Sequence, residues 1–161
     1  NISNDLLGST QYVGGLMESA AGSLNSFLPV VIFVVAIFLA FATGTSWGTF
    51  GILIPIVVSM FGPKDPIFFI GISATLSGAV CGDHLSPISD TTIMSSTGAG
   101  CIHIDHVKTQ LPYGITVALI SAVAYIIAGF THSALISLAF GLIVILTLMY
   151  ILRLRNKKEL G

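Results

Sequence analysis

Long apolar stretches alternate with short polar segments along most of the chain. The first apolar stretch covers residues 27–61 and is interrupted at 43–49 by a segment rich in glycine, threonine and serine. The second covers residues 67–98 and is interrupted at 82–92 by a segment with two carboxylates and an imidazole. Both patterns predict a pair of apolar helices that meet at a polar break.

Two further apolar stretches, at residues 111–130 and 134–152, contain no such break. Each has the length of about 20 residues that a helix needs to span a bilayer. The whole sequence is 54% apolar and 8% charged, whereas a soluble domain carries about 25% charged residues. We therefore predict an all-helical integral membrane protein, with the lipid bilayer as its surroundings. The net charge of -1 offers no basic surface to a nucleic acid.

The first interrupted stretch is too long for one straight span. As a single helix, residues 27–61 would extend about 50 Å, whereas the hydrocarbon core of a bilayer is about 30 Å thick. Two shorter helices that meet at the polar tip, as a re-entrant hairpin, fit the bilayer better. Such a tip must be covered by protein or line a watery cavity. The alternative is a span, a loop of small residues and a short second helix.

The second interrupted stretch carries a proline within its polar segment. Pro87 has no backbone N–H and disfavours helix at Ser86, the residue before it. Residues 67–98 together are long enough to cross the membrane, so we predict a transmembrane helix that is broken at 82–92. A broken membrane helix leaves backbone carbonyls and amides free to bind an ion.

The two ends of the chain are more polar than its centre. Residues 1–26 predict a loop or an interfacial segment, and residues 153–161 form a basic tail. Because positively charged segments favour the cytoplasmic side, we predict a multi-pass protein with a cytoplasmic C-terminus. Counting the crossings back from this end makes the hairpin enter from the outside, and one miscounted crossing would reverse that side.

The two polar breaks together predict one ion site near the middle of the membrane. Hydroxyl, carboxylate and carbonyl oxygens are ligands for a hard cation such as sodium rather than for a soft metal. Transported sodium and protons are then the only ions involved, with no resident metal and no cofactor. The candidate ligands are Thr45, Ser46 and Thr49 in the first break and Asp83, Ser86, Ser89, Asp90, Thr91 and Thr92 in the second.

Ionisable side chains in the second break are candidate proton carriers. A low dielectric favours the neutral form of a carboxylate, so such a group can exchange a proton near neutral pH. Intramembrane carboxylates are costly unless they have a function, and we favour Asp90 over Asp83 in this role. For His84, a function and a structural role are equally supported. The structural alternatives are that Asp90 caps a helix starting at Thr91 and that Asp83 caps a helix or pairs with His84.

Enzymatic activity is not predicted. The sequence contains no H-E-x-x-H metal site, no P-loop and no G-x-G-x-x-G segment. Asp83, His84 and Ser86 include the residue types of a catalytic triad, but three members so close along one chain rarely reach triad geometry. We therefore predict a transporter rather than an enzyme.

Three polar segments match a known pattern. They are Gly44-Thr45-Ser46-Trp47-Gly48-Thr49-Phe50-Gly51, Gly82-Asp83-His84-Leu85-Ser86-Pro87-Ile88-Ser89-Asp90-Thr91-Thr92, and His103-Ile104-Asp105-His106-Val107-Lys108-Thr109-Gln110-Leu111-Pro112-Tyr113. These segments resemble the NhaC family of sodium/proton antiporters, within the ion-transporter superfamily. The resemblance implies secondary active transport across a prokaryotic cytoplasmic membrane.

The resemblance also implies an architecture of two inverted repeats, each with a re-entrant hairpin and a broken helix. In that architecture Thr45, Ser46 and Thr49 would lie at the hairpin tip. Ser86, Ser89, Asp90 and Thr91 would lie at the helix break. One hairpin, one broken helix and two full spans correspond to a single repeat, so the chain resembles the C-terminal half of such a carrier.

A half-carrier implies a partner. The resemblance implies an N-terminal half, in the same or a separate chain, and leaves a homodimer open. The predicted function is sodium/proton antiport. Two alternatives stay open: exchange of an organic acid or an amino acid, as in the malate/lactate exchangers related to this family, and a non-transporting fragment or accessory membrane subunit.

Overall fold

The computed structural model describes residues 25–62 and 65–159, without the side chains at positions 25, 66 and 155–159. The predicted segment 1–26 lies almost entirely outside these residues. In the described part of the chain, a 3₁₀ turn at Asn25–Phe27 precedes helices only, with no β-strand. The helices are α1 (Leu28–Thr43), α2 (Ser46–Met60), α3 (Pro66–Leu85), α4 (Asp90–Gly98), α5 (His103–Thr131) and α6 (Ala134–Glu159). The all-helical prediction is confirmed for these residues.

Only Gly44 and Thr45 separate helices α1 and α2. Gly44 ends α1 with a left-handed φ of 68°, and its N–H donates to the carbonyl of Ala40 at 2.8 Å. Glycine suits this position because a side chain would be strained at a positive φ. Thr45 is extended and caps α2, where its hydroxyl oxygen accepts from the N–H of Gly48 at 3.5 Å. The polar tip is therefore a tight turn between two helices.

Helices α1 and α2 fold back on each other and pack on the first half of α3. Ile32 of α1 and Val57 of α2 belong to one buried apolar cluster. Both also face Gly71 of α3, where an added Cβ would lie 3.6 Å from the Ile32 side chain and 3.2 Å from that of Val57. Two positions on opposite sides of the tip thus meet at the same point of α3, as in a helical hairpin.

Helix α3 lies unusually close to α1 through two glycines. Gly78 and Gly82 face the backbone carbonyls of Phe33 and Ile37, and neither position has room for a Cβ. On the α1 side, the fully buried Ala36 lies beside Gly78. Small residues four positions apart allow such close backbone approach between membrane helices. Gly78 faces Phe33, and Gly82 faces Ile37 four residues further along α1. Residue numbers therefore increase in the same direction along both helices, so α1 and α3 are parallel.

Helix α5 returns antiparallel to α3 and is fixed to it by Tyr125. The Tyr125 hydroxyl lies 3.1 Å from the Ser73 hydroxyl and 2.7 Å from that of Ser77. The Tyr125 ring also packs on Phe33 of α1, with ring centroids 5.0 Å apart. One side chain of α5 therefore joins both α1 and α3.

We expect Tyr125→Phe to lower the free energy of unfolding by about 1 kcal/mol, the usual net contribution of a hydrogen bond. The phenyl ring would keep its contact with Phe33 while the bonds to Ser73 and Ser77 are lost. Thermal unfolding of the detergent-solubilised protein measures the difference. Tyr113→Phe is the matched control, since Tyr113 is 73% exposed on the same helix. Equal thermal stability of both variants would contradict this role of Tyr125.

Three helices of the described chain are long and apolar enough to cross a membrane. They cover Ile67–Leu85, His103–Thr131 and Ala134–Leu154, whereas α1 and α2 are shorter apolar helices. These lengths agree with the predicted integral membrane protein.

The second break is shorter than predicted. Helix α3 continues through Asp83 and His84 to Leu85, and α4 begins at Asp90, so the non-helical segment covers 86–89 rather than 82–92. Pro87 explains the difference, because proline disfavours helix at the residue before it but not several residues earlier. Asp83 thus lies in the last turns of α3, and α3 alone has the length of a span.

The last two helices are also longer than the predicted spans. Helix α5 begins at His103, eight residues before the predicted span at 111–130. Polar side chains do not prevent a helix outside the bilayer, and Asp105 in the first turn suits the positive end of the helix dipole. Helix α6 continues to Glu159, so it includes most of the basic tail.

Candidate functional site

A buried carboxylate lies where the tip of the α1–α2 hairpin meets the end of α3. Asp83 is 3% exposed. The Ser46 hydroxyl, at the first residue of α2, donates to Asp83 Oδ2 at 3.2 Å. The Ser89 hydroxyl, just before α4, donates to Asp83 Oδ1 at 2.6 Å. The two polar breaks that the sequence predicts to form one site are therefore in contact, and Asp83 joins them.

A third hydroxyl extends this hydrogen-bonded chain. Ser89 Oγ and Thr91 Oγ1 lie 2.7 Å apart. A serine hydroxyl has one hydrogen, and that of Ser89 is donated to Asp83, so the Thr91 hydroxyl donates to Ser89. The hydroxyls of Thr91 and Ser89 thus form a hydrogen-bonded chain from the exposed side of α4 to the buried Asp83 carboxylate.

The break and the tip are also joined through backbone atoms. Ser86 is fully buried, and its hydroxyl donates to the carbonyl of Phe41, near the end of α1, at 2.8 Å. At the tip, a Cβ on Gly44 would lie 3.0 Å from the Ile88 carbonyl oxygen. Ser86 therefore holds the two breaks together. Its hydroxyl hydrogen is donated to the Phe41 carbonyl, so it is not available to Asp83.

The remaining candidates of the tip are bound within their own helix. The Thr49 hydroxyl is buried and donates to the carbonyl of Thr45 at 3.0 Å. The Thr45 hydroxyl caps the N–H of Gly48. The structure thus brings Ser46 to Asp83 directly, while Thr45 and Thr49 shape the turn that presents it.

Asp90 and Thr92 lie in the first turn of α4 but in different surroundings. Asp90 is exposed, and its Oδ1 accepts from the N–H of Thr91 at 2.7 Å. It is the first residue of α4, and Ser89 occupies the position before it. Thr92 is 3% exposed, and its hydroxyl has no hydrogen-bond partner within the described residues. A buried hydroxyl without a partner is rare, so Thr92 has an oxygen available for a further ligand.

His84 is bonded to its own helix rather than to Asp83. It is exposed, and its Nδ1 lies 2.9 Å from the carbonyl oxygen of Val80. A carbonyl oxygen only accepts, so this nitrogen carries a hydrogen. The structure therefore does not place His84 within the carboxylate site. Among the residues that the structure describes, no three His, Cys, Asp or Glu side chains are grouped so as to hold a metal ion.

The G-x-S-x-G spacing of a hydrolase nucleophile elbow also occurs in this chain, at Gly44–Gly48. In a hydrolase this serine follows a β-strand and is bonded by a histidine. In this protein helix α1 precedes the turn, and the Ser46 hydroxyl donates to a carboxylate. The spacing therefore forms a helix turn beside Asp83 and not a nucleophile elbow.

The family of the chain follows from comparison with known proteins. The model of the Na+/H+ antiporter family matches residues 2–130, which include both breaks and the whole carboxylate site. The chain belongs to this antiporter family. The match to an antiporter family and three described helices of spanning length together indicate a multi-pass membrane protein of a transporter family.

The named activities of this chain's curated relatives differ. It is 46% identical to an uncharacterized protein of Haemophilus influenzae over 154 residues, which are 94% of this chain and 30% of that protein. It is 32% identical to the malate-2H(+)/Na(+)-lactate antiporter of Bacillus subtilis over 129 residues, 76% of this chain and 27% of that protein. It is 34% identical to the arginine/ornithine antiporter of Halobacterium salinarum over 113 residues, 66% of this chain and 23% of that protein.

The chain thus spans less than a third of the length of these relatives. No solved structure matches it.

Proposed function

We propose that this chain forms a C-terminal part of a sodium/proton antiporter of the NhaC type, shorter than the half that the sequence pattern predicts. The carrier would lie in a prokaryotic cytoplasmic membrane, with the C-terminus of this chain in the cytoplasm. The N-terminal remainder of the carrier would be supplied by the same or a separate chain. The observation that carries the proposal is the buried Asp83 carboxylate, which accepts hydroxyl hydrogen bonds from both polar breaks.

The site suits a sodium ion and a proton as competing ligands. A hydroxyl oxygen has lone pairs as well as a hydrogen, so Ser46 and Ser89 can turn from donating to Asp83 to ligating a cation beside it. The Thr92 hydroxyl has no partner to give up within the described residues. Without sodium, a proton would take the place of the cation on the carboxylate. A group that holds either ion, but not both, couples their opposite movements.

The proposed architecture follows from the lengths of the helices. Helices α1 and α2 are too short to span and would form the re-entrant hairpin, while α3 and α4 would form the broken helix. The carbonyl ends of α1 and α3 both reach the site, and such ends favour a cation. One hairpin and one broken helix correspond to one repeat of an inverted-repeat ion transporter.

Everted membrane vesicles test this proposal. The vesicles contain this chain together with the N-terminal part of the carrier. Respiration generates a proton gradient across their membrane, and a pH-sensitive dye reports that gradient. We expect added sodium to collapse the gradient, and the chain alone to give no response. No response to sodium, lithium or potassium from the correctly inserted complete carrier would contradict sodium/proton antiport.

An organic-anion exchanger is the second candidate, and one feature of the site favours it. The N-terminal ends of α2 and α4 also lie at the breaks, and such ends bind anionic groups such as carboxylates. The relative from Bacillus subtilis is named for malate and lactate. Uptake of labelled malate, lactate or amino acids by vesicles that show no sodium response would favour this function.

Ser89→Ala should weaken sodium binding about tenfold, since a hydrogen bond to a charged group is worth about 1.5–3 kcal/mol. The Ser89 hydroxyl makes the shorter of the two bonds to Asp83. The measured quantity is the apparent KM for sodium in the vesicle assay. Ser95→Ala is the matched control because the Ser95 hydroxyl is exposed and donates to the carbonyl of Thr91 in its own helix. An unchanged KM in Ser89→Ala would remove Ser89 from the proposed cation site.

A further inference from the structure

Two polar side chains of α5 contact the backbone around the second break from outside the carboxylate site. His103 Nε2 lies 2.7 Å from the carbonyl oxygen of Pro87. Gln110 Nε2 donates to the carbonyl of His84 at 3.0 Å. His103 and Gln110 occupy positions i and i+7 of α5, which lie on the same face of a helix. One face of α5 therefore reaches both the end of α3 and the non-helical segment that follows it.

Both carbonyls would otherwise lack a helical donor. His84 lies in the last turn of α3, where carbonyls have no N–H partner within the helix, and Pro87 lies in the non-helical segment. A backbone carbonyl without a hydrogen-bond donor is unfavourable in a folded protein. His103 and Gln110 supply the missing donors, so they stabilise the break in its observed conformation.

The imidazole of His103 also binds α4. Its Nε2 must carry a hydrogen because a carbonyl oxygen only accepts. Its Nδ1 lies 3.1 Å from the Ser96 hydroxyl, which is buried in α4. The ring thus fixes α4 and the break to the start of α5 at the same time. Ser89, the donor to Asp83, lies between these two attachment points in the chain.

We propose that α5, through His103 and Gln110, positions the broken segment and thereby the Ser89 hydroxyl at Asp83. Both are positioning residues, because they hold the backbone carbonyls and make no hydrogen bond to Asp83 or its hydroxyl donors. This inference rests on the proposed cation site at Asp83. It adds that the affinity for the cation is set in part by the attachment of α5 to the break.

The test compares His103→Ala, His103→Gln and His106→Ala in the complete carrier. In His103→Ala the apparent KM for sodium should rise about tenfold with little change in maximal rate, the factor expected for the loss of one partly buried hydrogen bond. In His103→Gln the side-chain amide can donate to the Pro87 carbonyl, so KM should return to within about threefold of the wild-type value. His106→Ala removes the neighbouring imidazole of α5 and should leave KM unchanged. A wild-type KM in His103→Ala would overturn the inference.

A second readout needs no transport. A single cysteine at the exposed Ile88 of the break, with Cys81 and Cys101 replaced by alanine, reports access to a maleimide. His103→Ala should speed its labelling severalfold, and Gln110→Met should do the same if His103→Ala fails to insert. His106→Ala should not. Equal labelling rates in all variants would overturn the positioning role, whereas a carrier without a sodium response would overturn only the proposed function.

Discussion

Asp83→Asn is expected to reduce sodium-driven proton exchange by more than about 100-fold. Asparagine keeps the size of the side chain but carries no charge and cannot exchange a proton. It also loses the charged acceptor for Ser46 and Ser89, and each such bond is worth about 1.5–3 kcal/mol, where about 1.4 kcal/mol corresponds to a factor of ten. The initial rate of dequenching in everted vesicles, per amount of inserted carrier, measures the loss.

Two other carboxylates make this result specific. Asp105→Asn changes an exposed residue in the first turn of α5 and should keep the wild-type rate. Asp90→Asn should cost less than Asp83→Asn, because the Asp90 carboxylate is exposed and bonds the N–H of Thr91. Normal exchange in Asp83→Asn, together with its loss in Asp90→Asn, would assign the proton to Asp90 and contradict the proposed role of Asp83.

Gly82→Ala should destabilise the folded chain by about 1–3 kcal/mol, the usual cost of overpacking a close-packed position. Its new methyl group would meet the backbone carbonyl of Ile37 and the Ala40 side chain. Backbone cannot move aside as the end of a flexible side chain can, so α1 and α3 would have to separate. That separation would also disturb Asp83, the next residue. Thermal unfolding of the detergent-solubilised carrier, followed by size-exclusion chromatography, measures the effect.

Gly141→Ala is the matched control for this substitution. Gly141 lies in α6, and a Cβ added there meets nothing within 4 Å. Alanine also favours helix over glycine, so Gly141→Ala should be as stable as the wild type or more so. Equal stability of the two alanine variants would show that α1 and α3 are not held by this close approach.

The local features of the fold could be predicted because single residues determine them. Pro87 ends α3 at the position where steric conflict with the preceding residue requires it. Gly44 ends α1 in the left-handed conformation that glycine favours. Apolar runs of spanning length predicted the membrane helices, because the bilayer sets that length. The contact between the two polar breaks also follows from the cost of leaving either one in lipid.

The division of roles between the two carboxylates could not be predicted in this way. Asp83 lies on α3 and Asp90 on α4, and the non-helical residues between them end any helical periodicity. Which carboxylate turns inward therefore depends on the rotation of α4, which the packing of the whole domain decides. The hydrogen bond from Ser86 to the Phe41 carbonyl could not be predicted either, because every residue has the same backbone carbonyl.

Two other features have a sequence signal that becomes clear beside the structure. Gly78 and Gly82 have the spacing of small residues that is typical of close helix packing in membranes. His103 and Gln110 have the i, i+7 spacing of one helix face, but that spacing has meaning only once α5 is known to begin at His103.

We expect a sodium ion and a proton to compete for the Asp83 carboxylate. The most direct test of this competition is proton release from the purified complete carrier, in weakly buffered detergent solution, when sodium chloride is added. The wild type should release protons on addition of sodium but not of choline chloride, and Asp83→Asn should release none. Equal release from Asp83→Asn and from the wild type would show that the competing proton is bound elsewhere.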